Sequence, residues 1–242
     1  MRSTKAIFGA WEWSETEAVA AFFGDERPGY FVDVGANEPE ERSQTWHLEK
    51  RGWTGVLIEP QPAPAARLRE ARRAKVYEVA CSTPRNAGNT MRLHLAGIHS
   101  SLDPNLNIST VTPHGAIDVP VTTLDRVLSD AKAPVPIDFL SIDVEGHEVE
   151  VLEGFDIGRW RPRLIYVEDL VMDLRLHRHL TARGYKWVRR IDINSWYVPT
   201  ENPLKVSAIG RLQFLRKYYL STPFRHLREA VRRLRHRAAR RP

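Results

Sequence analysis

Cysteine is nearly absent from this sequence, since Cys81 is the single one among 242 residues. One cysteine cannot form an intramolecular disulfide, and it leaves no set of thiolates for a structural zinc or iron–sulfur site. Long apolar runs are lacking too, because no stretch approaches the roughly 18 consecutive apolar residues of a membrane-spanning helix. These absences exclude a disulfide-stapled scaffold, a thiolate metal site and a helical membrane protein.

The amino-terminal segment lacks the uninterrupted apolar run of a secretion signal, because Trp11, Glu12 and Trp13 interrupt it. Together with the single cysteine, this predicts a cytoplasmic protein. A hydrophobic content of 42% is typical of a globular chain. The length suffices for one α/β domain with a well-buried core.

Acidic residues are scarce in the last part of the chain. Residues 201–242 hold twelve Lys or Arg against two Asp or Glu, a local net charge of +10, whereas residues 1–200 hold 24 basic and 28 acidic residues, a net charge of −4. The sequence pI of 9.6 therefore describes a tail and does not indicate a nucleic-acid-binding surface on the body. We expect a body over 1–200, and a basic linker with an amphipathic helix over 201–242.

Apolar runs of strand length alternate with segments of helical spacing along the body. Strands are predicted at 29–35, 55–60, 75–81, 137–146 and 163–170, weaker ones at 91–97 and 117–124, and a hairpin within 184–200. The loop 99–116, rich in Ser, Asn, Pro and Thr, is interpreted as a lid or acceptor-binding loop. The alternation predicts an α/β fold, with a mostly parallel sheet covered by helices on both faces.

An acidic residue closes each of four predicted strands: Asp33, Glu59, Asp143 and Glu168. One strand-end acid is commonly a turn former or helix cap. Because the carboxyl ends of parallel strands meet at one edge, where ligands bind in such sheets, we expect these four side chains to gather there. That edge is the predicted functional site.

Glycine is scarce where a dinucleotide cofactor would need it. The pyrophosphate turn G-x-G-x-x-G is reduced here to Gly35, and Pro39 and Glu40 stand where later glycines would be. Acids at this turn repel a pyrophosphate, which disfavours a nicotinamide dehydrogenase. Glu59 ends the next strand, where a carboxylate can accept hydrogen bonds from two ribose hydroxyls. A cofactor with a ribose, no phosphate and a positive centre fits, and S-adenosylmethionine is such a molecule.

Two stretches resemble the FkbM-type family of S-adenosylmethionine-dependent methyltransferases: "FVDVGANEPEERSQTWHLEKRGWTGVLIEPQP" and "IDFLSIDVEGHEVEVLEGFD". The resemblance covers roughly residues 28–198. It implies a class I methyltransferase (Rossmann-like) fold, whose seven-stranded, mostly parallel sheet has an antiparallel last strand, and S-adenosylmethionine as the cofactor. It also implies O-methylation, typically of sugars or of polyketide and other natural-product hydroxyls.

The resemblance also implies the residues that hold the cofactor. They are Asp33, Gly35 and Asn37 at the turn, Glu59 at the ribose, Cys81 and Ser82 beside the adenine, and Asp143 beside the transferable methyl group. A sugar hydroxyl is a weak nucleophile at neutral pH, so a general base is expected. The candidates are Asp143, Glu145, His147 and Glu168, with Glu145 the first choice and His147, for its intrinsic pKa, the second.

The same carboxylates also raise the question of a divalent metal. Asp143, Glu145, Glu168 and Asp169 could present several oxygens to Mg²⁺. In the alternative interpretation, which we favour, they serve cofactor, acceptor and helix ends. No metal ligand is therefore assigned.

The end of the chain has the pattern of a basic amphipathic helix over about 223–238. Thr222 is predicted as its N-cap and Pro223 as its first helical residue. Apolar residues recur at a spacing of three or four, with arginines between them: Leu220, Phe224, Leu227, Val231 and Leu234. Such a helix can lie on an anionic membrane surface, here the inner face. A solvated terminal helix and, less favoured, a nucleic-acid contact remain alternatives.

These patterns together predict an S-adenosylmethionine-dependent O-methyltransferase. We expect it to act on a sugar hydroxyl of a carbohydrate or glycolipid acceptor, in polysaccharide or glycolipid biosynthesis. The alternatives are the same chemistry on a polyketide-like hydroxyl, and an RNA methyltransferase, for which the basic tail argues and the acidic body argues against. Acids at four strand ends disfavour a binding module without catalysis.

Overall fold

Short apolar runs rich in β-branched residues form the strands of this protein. Its structure, a computed structural model, describes residues 14–24, 27–103, 114–171, 174–224 and 227. The strands are β1 (Tyr30–Val34), β2 (Thr54–Ile58), β3 (Lys75–Tyr77), β4 (Ala80–Cys81), β5 (Thr90–Leu95), β6 (Gly115–Thr122), β7 (Phe139–Ile142), β8 (Leu164–Glu168), β9 (Tyr185–Ile191) and β10 (Asn194–Pro199).

Short helices connect the strands, several of them started by a side-chain cap such as Ser14 or Thr123. They are α1 (Glu15–Phe23), α2 (Trp46–Glu49), α3 (Pro62–Ala71), α4 (Leu124–Asp130), α5 (Glu148–Glu153), α6 (Ile157–Trp160), α7 (Arg175–Thr181) and α8 (Ala208–Phe214). A π-helical segment, Leu215–Leu220, continues α8. No helix among the described residues is both long enough and apolar enough to span a bilayer.

Seven strands form the main sheet, in the order β3-β2-β1-β7-β8-β10-β9. The pairs along β3, β2, β1, β7 and β8 are parallel, and β10 is antiparallel to both of its neighbours. The predicted fold, a mostly parallel seven-stranded sheet whose last strand is antiparallel, is confirmed. Strand order reverses between β1 and β7, which places a ligand site at their carboxyl ends.

Each face of the sheet is covered by its own set of helices, because successive side chains of a strand point to opposite faces. Val32 and Val34 of β1 belong to a core cluster that includes buried residues of α4, α5 and α7. Phe31 belongs to the opposite cluster, with residues of α1, α2 and α3. Burial on both faces accounts for the continuous apolar runs of these strands.

The predicted strand 75–81 is wrong as a single element. Its first part, β3, pairs with β2, and the chain then bends so that β4 pairs in parallel with β6 in another sheet. That sheet has the order β4-β6-β5 among the described residues, and it includes both weaker strand candidates. The carbonyl of Tyr77 at the end of β3 accepts the amide of Glu59 at 3.0 Å, and the chain turns towards β6 after this residue.

Two predictions about the end of the chain also change. The expected linker after the last strand is helical from Ala208, because Ser207 caps α8 by accepting the amide of Gly210. Thr222 is not an N-cap acceptor, since its hydroxyl donates to the carbonyl of Tyr218 at 2.7 Å. Most of the predicted helix over 223–238 lies outside the described residues.

Candidate active site

A cavity of about 560 Å³ lies at the carboxyl ends of the central strands, a size within the roughly 300–1,000 Å³ of ligand sites. Most of the predicted site residues line it: Gly35, Asn37, Glu59, Cys81, Asp143, Glu145, His147 and Glu168. Asp33 and Ser82 lie behind its wall. The parallel register explains this gathering. Ile142, just before Asp143, pairs with Val167, just before Glu168, and with Val34, just before Gly35.

Gly35 makes the turn after β1 with a left-handed backbone, φ 89°. A Cβ at this position would lie 1.8 Å from the carbonyl oxygen of Asp143. The glycine therefore permits the turn after β1 to contact the turn after β7, which is a packing reason for a glycine here. The amides of Gly35 and Ala36 both donate to the carbonyl of Ile58, which fastens the turn to β2.

Glu59 holds this turn from the next strand. Its Oε2 accepts the amide of Asn37 at 3.0 Å, and its Oε1 accepts the amide of Gln61 at 2.8 Å. Burial raises the pKa of Glu59, whereas the two amides favour its ionised form. Each oxygen retains acceptor capacity, so the carboxylate can bind a diol in the cavity while it fixes both flanking loops.

Asp33 sits beneath the turn and serves the framework. Its Oδ2 accepts the hydroxyl of Thr45 at 2.7 Å, and burial raises its pKa against the opposing influence of Thr45 and Arg72. The Arg72 guanidinium is itself fully buried and donates to Glu49 at 2.9 Å and to Thr45 at 3.1 Å. It also donates to the carbonyl of Pro39 at 3.0 Å. This hydrogen-bonded group secures the loop that follows the turn.

One wall of the cavity is apolar, formed by Val34, Ile58, Val79, Cys81 and Leu93. Burial raises the pKa of the Cys81 thiol to about 12, so this cysteine behaves as a small apolar side chain.

Ser82, the next residue, turns away from the cavity. Its hydroxyl lies 2.9 Å from Nε2 of His147 and accepts from Asn86 at 2.9 Å. His147 is thereby engaged with the framework, its Nδ1 lies 3.8 Å from Glu150, and burial lowers its pKa.

Three carboxylates form the acidic end of the cavity. One oxygen each of Asp143, Glu145 and Glu168 lies within 4.8 Å of the others. Burial, and then repulsion by neighbouring carboxylates, raises the pKa of Asp143 to about 7 and that of Glu168 to about 10. Oε2 of Glu168 is buried and has no hydrogen-bond partner among the described residues. An arrangement of this kind is relieved by protons or by a cation.

Asp169, the fourth carboxylate considered in the question of a metal, does not join this cluster. Its Oδ1 accepts the amide of Val171 at 2.8 Å, and its Oδ2 accepts the hydroxyl of Tyr218. Asp169 instead connects the sheet edge to the carboxyl-terminal helix.

Glu145 makes a contact that the sequence did not indicate. Its Oε1 lies 2.8 Å from Nδ1 of His99, which comes from the loop after β5 and lines the cavity. Glu145 has a left-handed backbone, φ 57°, and its carbonyl accepts the hydroxyl of Ser101 at 2.6 Å. Burial raises the pKa of Glu145, and His99 opposes this shift. A carboxylate on one imidazole nitrogen fixes the ring and leaves the other nitrogen for chemistry.

The predicted acceptor-binding loop contributes to the site through its first residues, since His99 and Ser100 line the cavity. Residues 104–113 of that loop lie outside the described residues. Spacing along the chain does not indicate the pairing of His99 with Glu145, because Glu145 follows a strand of the other sheet. The unusual length of the 99–116 loop was the feature of the sequence that pointed to this segment.

Comparison with known proteins identifies the family. The model of the methyltransferase FkbM domain matches residues 33–186, well over half of the chain. The chain belongs to the FkbM methyltransferase family. The resemblance seen in the two sequence stretches is therefore confirmed, whereas no curated protein matches this chain.

Solved structures similar to this FkbM-family chain are distant in sequence. The FkbM methyltransferase from Methylobacillus flagellatus KT is 18% identical with a TM-score of 0.46, over 71% of this chain and 43% of that one. The delta-N METTL16 methyltransferase domain is 12% identical with a TM-score of 0.42, over 76% and 78%. The N-terminal domain of human METTL16 in complex with SAH is 12% identical with a TM-score of 0.39, over 76% and 65%. This chain spans less than half the length of the Methylobacillus protein.

S-adenosylmethionine, the predicted cofactor, is confirmed by the family. The cavity of this FkbM-family chain also suits the molecule chemically. The apolar wall around Ile58 and Cys81 suits an adenine, Glu59 suits a ribose diol, and the unpartnered oxygen of Glu168 suits a positive charge.

Proposed function

We propose that this methyltransferase transfers the methyl group of S-adenosylmethionine to a sugar hydroxyl, in polysaccharide or glycolipid biosynthesis. The observation that carries the proposal is the His99–Glu145 pair on the wall of an acid-lined cavity. A hydroxyl acceptor must lose its proton as it is methylated, and a positioned histidine can remove it. A methyl acceptor that is already unprotonated would need no such pair.

The residues that hold the cofactor follow from the cavity. Glu59 would hold the ribose, the wall at Ile58 and Cys81 would hold the adenine, and the turn at Gly35 and Asn37 would hold the remainder. When bound, S-adenosylmethionine supplies an electrophilic methyl group on a positively charged sulfur. Asp143 and Glu168, whose raised pKa values a bound cation would lower, would then supply negative charge beside it.

His99 is the base in this proposal, and Glu145 orients it. Donation of Nδ1–H to the carboxylate leaves the lone pair of Nε2 available, and the carboxylate stabilises the imidazolium formed by proton uptake. This revises the order of candidates from the sequence, where Glu145 was the first choice of base and His147 the second. His147 is held by Ser82, which leaves it a structural role.

Polar groups on the opposite part of the wall support a hydroxyl-rich acceptor. The amide nitrogens of Gln44 and Asn194 donate to the two oxygens of Glu15, at 3.1 and 2.9 Å. The carbonyl oxygens of both amides have no hydrogen-bond partner among the described residues, and both residues line the cavity. Both oxygens are buried, and an acceptor rich in hydroxyl donors would satisfy them better than a largely apolar polyketide would.

The acidic lining argues against RNA as the acceptor. Glu38, Glu41 and Asp192 join the acids already named on the cavity wall. A phosphate backbone would be repelled there. The natural-product hydroxyl therefore remains the second candidate, because it requires the same base and the same cofactor site.

Calorimetry with S-adenosylmethionine and with NAD tests the cofactor, and transfer of a radiolabelled methyl group tests the acceptor. The acceptor panel comprises methyl glycosides, glycolipids, polyketide alcohols and RNA. We expect binding of S-adenosylmethionine and labelling of glycosides or glycolipids. Labelling of RNA alone, or binding of NAD alone, would overturn the proposal.

A further inference from the structure

The helical segment after the last strand carries exposed apolar side chains on α8, on the π-helical residues that continue it, and beyond Ser221. Seven residues, between 48% and 73% exposed, recur at helical spacing: Ile209, Leu212, Leu215, Tyr219, Leu220, Phe224 and Leu227. Large apolar side chains are scattered singly on ordinary surfaces, whereas a contiguous patch marks an interaction site. We call these seven residues the apolar stripe.

The opposite side of the same helix is firmly packed, so the stripe cannot turn inward. Phe214 stacks on Tyr218 with ring centroids 4.3 Å apart and contacts Trp187 at 5.1 Å. Tyr218 is 2% exposed, and its hydroxyl bonds with Asp169 and, at 2.9 Å, with Ser195. The stripe is therefore presented outward by a rigid attachment to the sheet.

Positive charge surrounds the stripe. Arg211 and Arg216 are exposed on the same helix, and Lys205 is exposed just before it. Residues 208–242 contain eleven Lys or Arg and one acid. The stripe requires a partner with an apolar interior, and the charge requires one with an anionic surface. A bilayer that contains anionic lipids has both.

We propose that the apolar stripe docks on the surface of an anionic lipid bilayer. A second copy of the chain would bring the same positive charges face to face. Nucleic acid would use stacking aromatic side chains, whereas most of the stripe is aliphatic. The sequence predicts membrane binding through 223–238, and this proposal adds the exposed side chains back to Ile209.

Docking would bring the active site to the membrane. Tyr218 holds Asp169, the residue next to Glu168 of the cavity, so the docking helix is attached at the edge of the sheet that carries the site. This link rests on the proposed function and indicates a lipid-linked glycan as the acceptor. The docking itself requires no part of that function, so a failed methyl-transfer assay and a failed lipid assay are distinguishable.

Co-sedimentation of the full chain with vesicles tests the docking. Vesicles of phosphatidylglycerol with phosphatidylcholine are compared with pure phosphatidylcholine, at low and high salt. We expect partitioning into the anionic vesicles that weakens with salt. Leu212→Glu should lower it about tenfold, because one buried leucine side chain contributes about that factor.

Val135→Glu is the matched control, since Val135 is 57% exposed against 66% for Leu212 and lies outside the stripe. It should change partitioning less than about twofold, because its charge change is the same but its side chain enters no lipid. Equal partitioning of the two variants would overturn the proposal, as would no sedimentation with anionic vesicles. A dimer that Leu212→Glu dissociates, or RNA binding that it abolishes, without lipid binding, would also overturn it.

Discussion

Nδ1 of His99 lies 2.8 Å from Oε1 of Glu145, although 46 positions separate the two residues along the chain. One comes from the loop after β5 of the smaller sheet, and the other from the turn after β7 of the main sheet. The pair joins the two sheets across the cavity. A hydrogen bond placed there serves both as a structural tie and as a means to orient a base.

Replacement of His99 should separate catalysis from binding. We expect His99→Asn to lower kcat by about 10²–10⁴, the usual contribution of a general base, while the Kd of S-adenosylmethionine changes less than about threefold. Glu145→Gln should also lower kcat, because a neutral amide does not stabilise the imidazolium formed by proton uptake. Methyl-transfer kinetics and calorimetry provide both readouts.

His114→Asn is the control for this pair, because His114 is exposed and is not among the cavity-lining residues. It should leave kcat unchanged. An equal loss in both histidine variants, or an unchanged kcat in Glu145→Gln, would contradict the assignment of His99 as the base.

The acidic cluster predicts how the stability of the cofactor-free protein depends on pH. The pKa values of Asp143 and Glu168 are raised to about 7 and about 10, so the folded state binds more protons than the unfolded state once pH exceeds about 4. Their contribution to stability is full below pH 4 and is lost as pH rises through the folded pKa values. From this cluster we expect a thermal midpoint that falls between pH 5 and pH 8.

Glu168→Gln should raise the free energy of unfolding at pH 8 by roughly 2 kcal/mol and flatten this pH dependence, because the Glu168 carboxyl must take up a proton on folding at that pH, whereas an amide need not. Asp118→Asn, which removes an exposed partner of Arg92, is the control and should have little effect. Calorimetric unfolding at both pH values measures the difference. A midpoint that rises from pH 5 to pH 8 in the unmodified protein, with no gain in Glu168→Gln, would contradict the prediction.

Glu59 is predicted to determine cofactor affinity. Glu59→Gln loses the charge that accepts the amides of Asn37 and Gln61 and that would bind the ribose. A hydrogen bond to a charged group contributes about 1.5–3 kcal/mol, so the Kd for S-adenosylmethionine should rise about 10- to 100-fold. Glu78→Gln, in a partly exposed pair with Arg69 away from the cavity, should leave the Kd unchanged. Calorimetric titration with S-adenosylmethionine measures the Kd. Equal Kd values for the unmodified protein and Glu59→Gln would show that Glu59 does not bind the ribose.

Arg72 is predicted to be essential for stability. Arg72→Met removes the fully buried ion-pair partner of Glu49 and leaves this carboxylate to the amide of Arg73 at 2.6 Å and its guanidinium at 3.7 Å, which should lower the free energy of unfolding by about 3 kcal/mol. Arg73→Met, whose side chain is 74% exposed, should lower it by less than about 1 kcal/mol. Urea unfolding of both variants measures the contrast, and similar midpoints would show that the buried group is dispensable.

The sequence was informative wherever a local rule applies. Buried parallel strands require continuous apolar runs, so the five strong runs located most of the main sheet. The acids after those runs located the site, because parallel strands end at one edge. The prediction from sequence was wrong at 75–81, because one apolar run forms strands in two sheets. It was also wrong after Pro199, because the expected linker is helical and packs through Phe214 and Tyr218.

The sequence by itself therefore determined the fold class, the family and the edge of the sheet that carries the site, since these depend on periodicity, strand ends and motif residues near one another in the chain. The tertiary structure alone decided which side chains face the cavity. In the folded protein Asp33 and Ser82 bond to framework side chains and do not line the cavity, and His99 contacts Glu145. Those outcomes depend on contacts between distant segments, and no spacing along a chain specifies the distance between two segments in a folded protein.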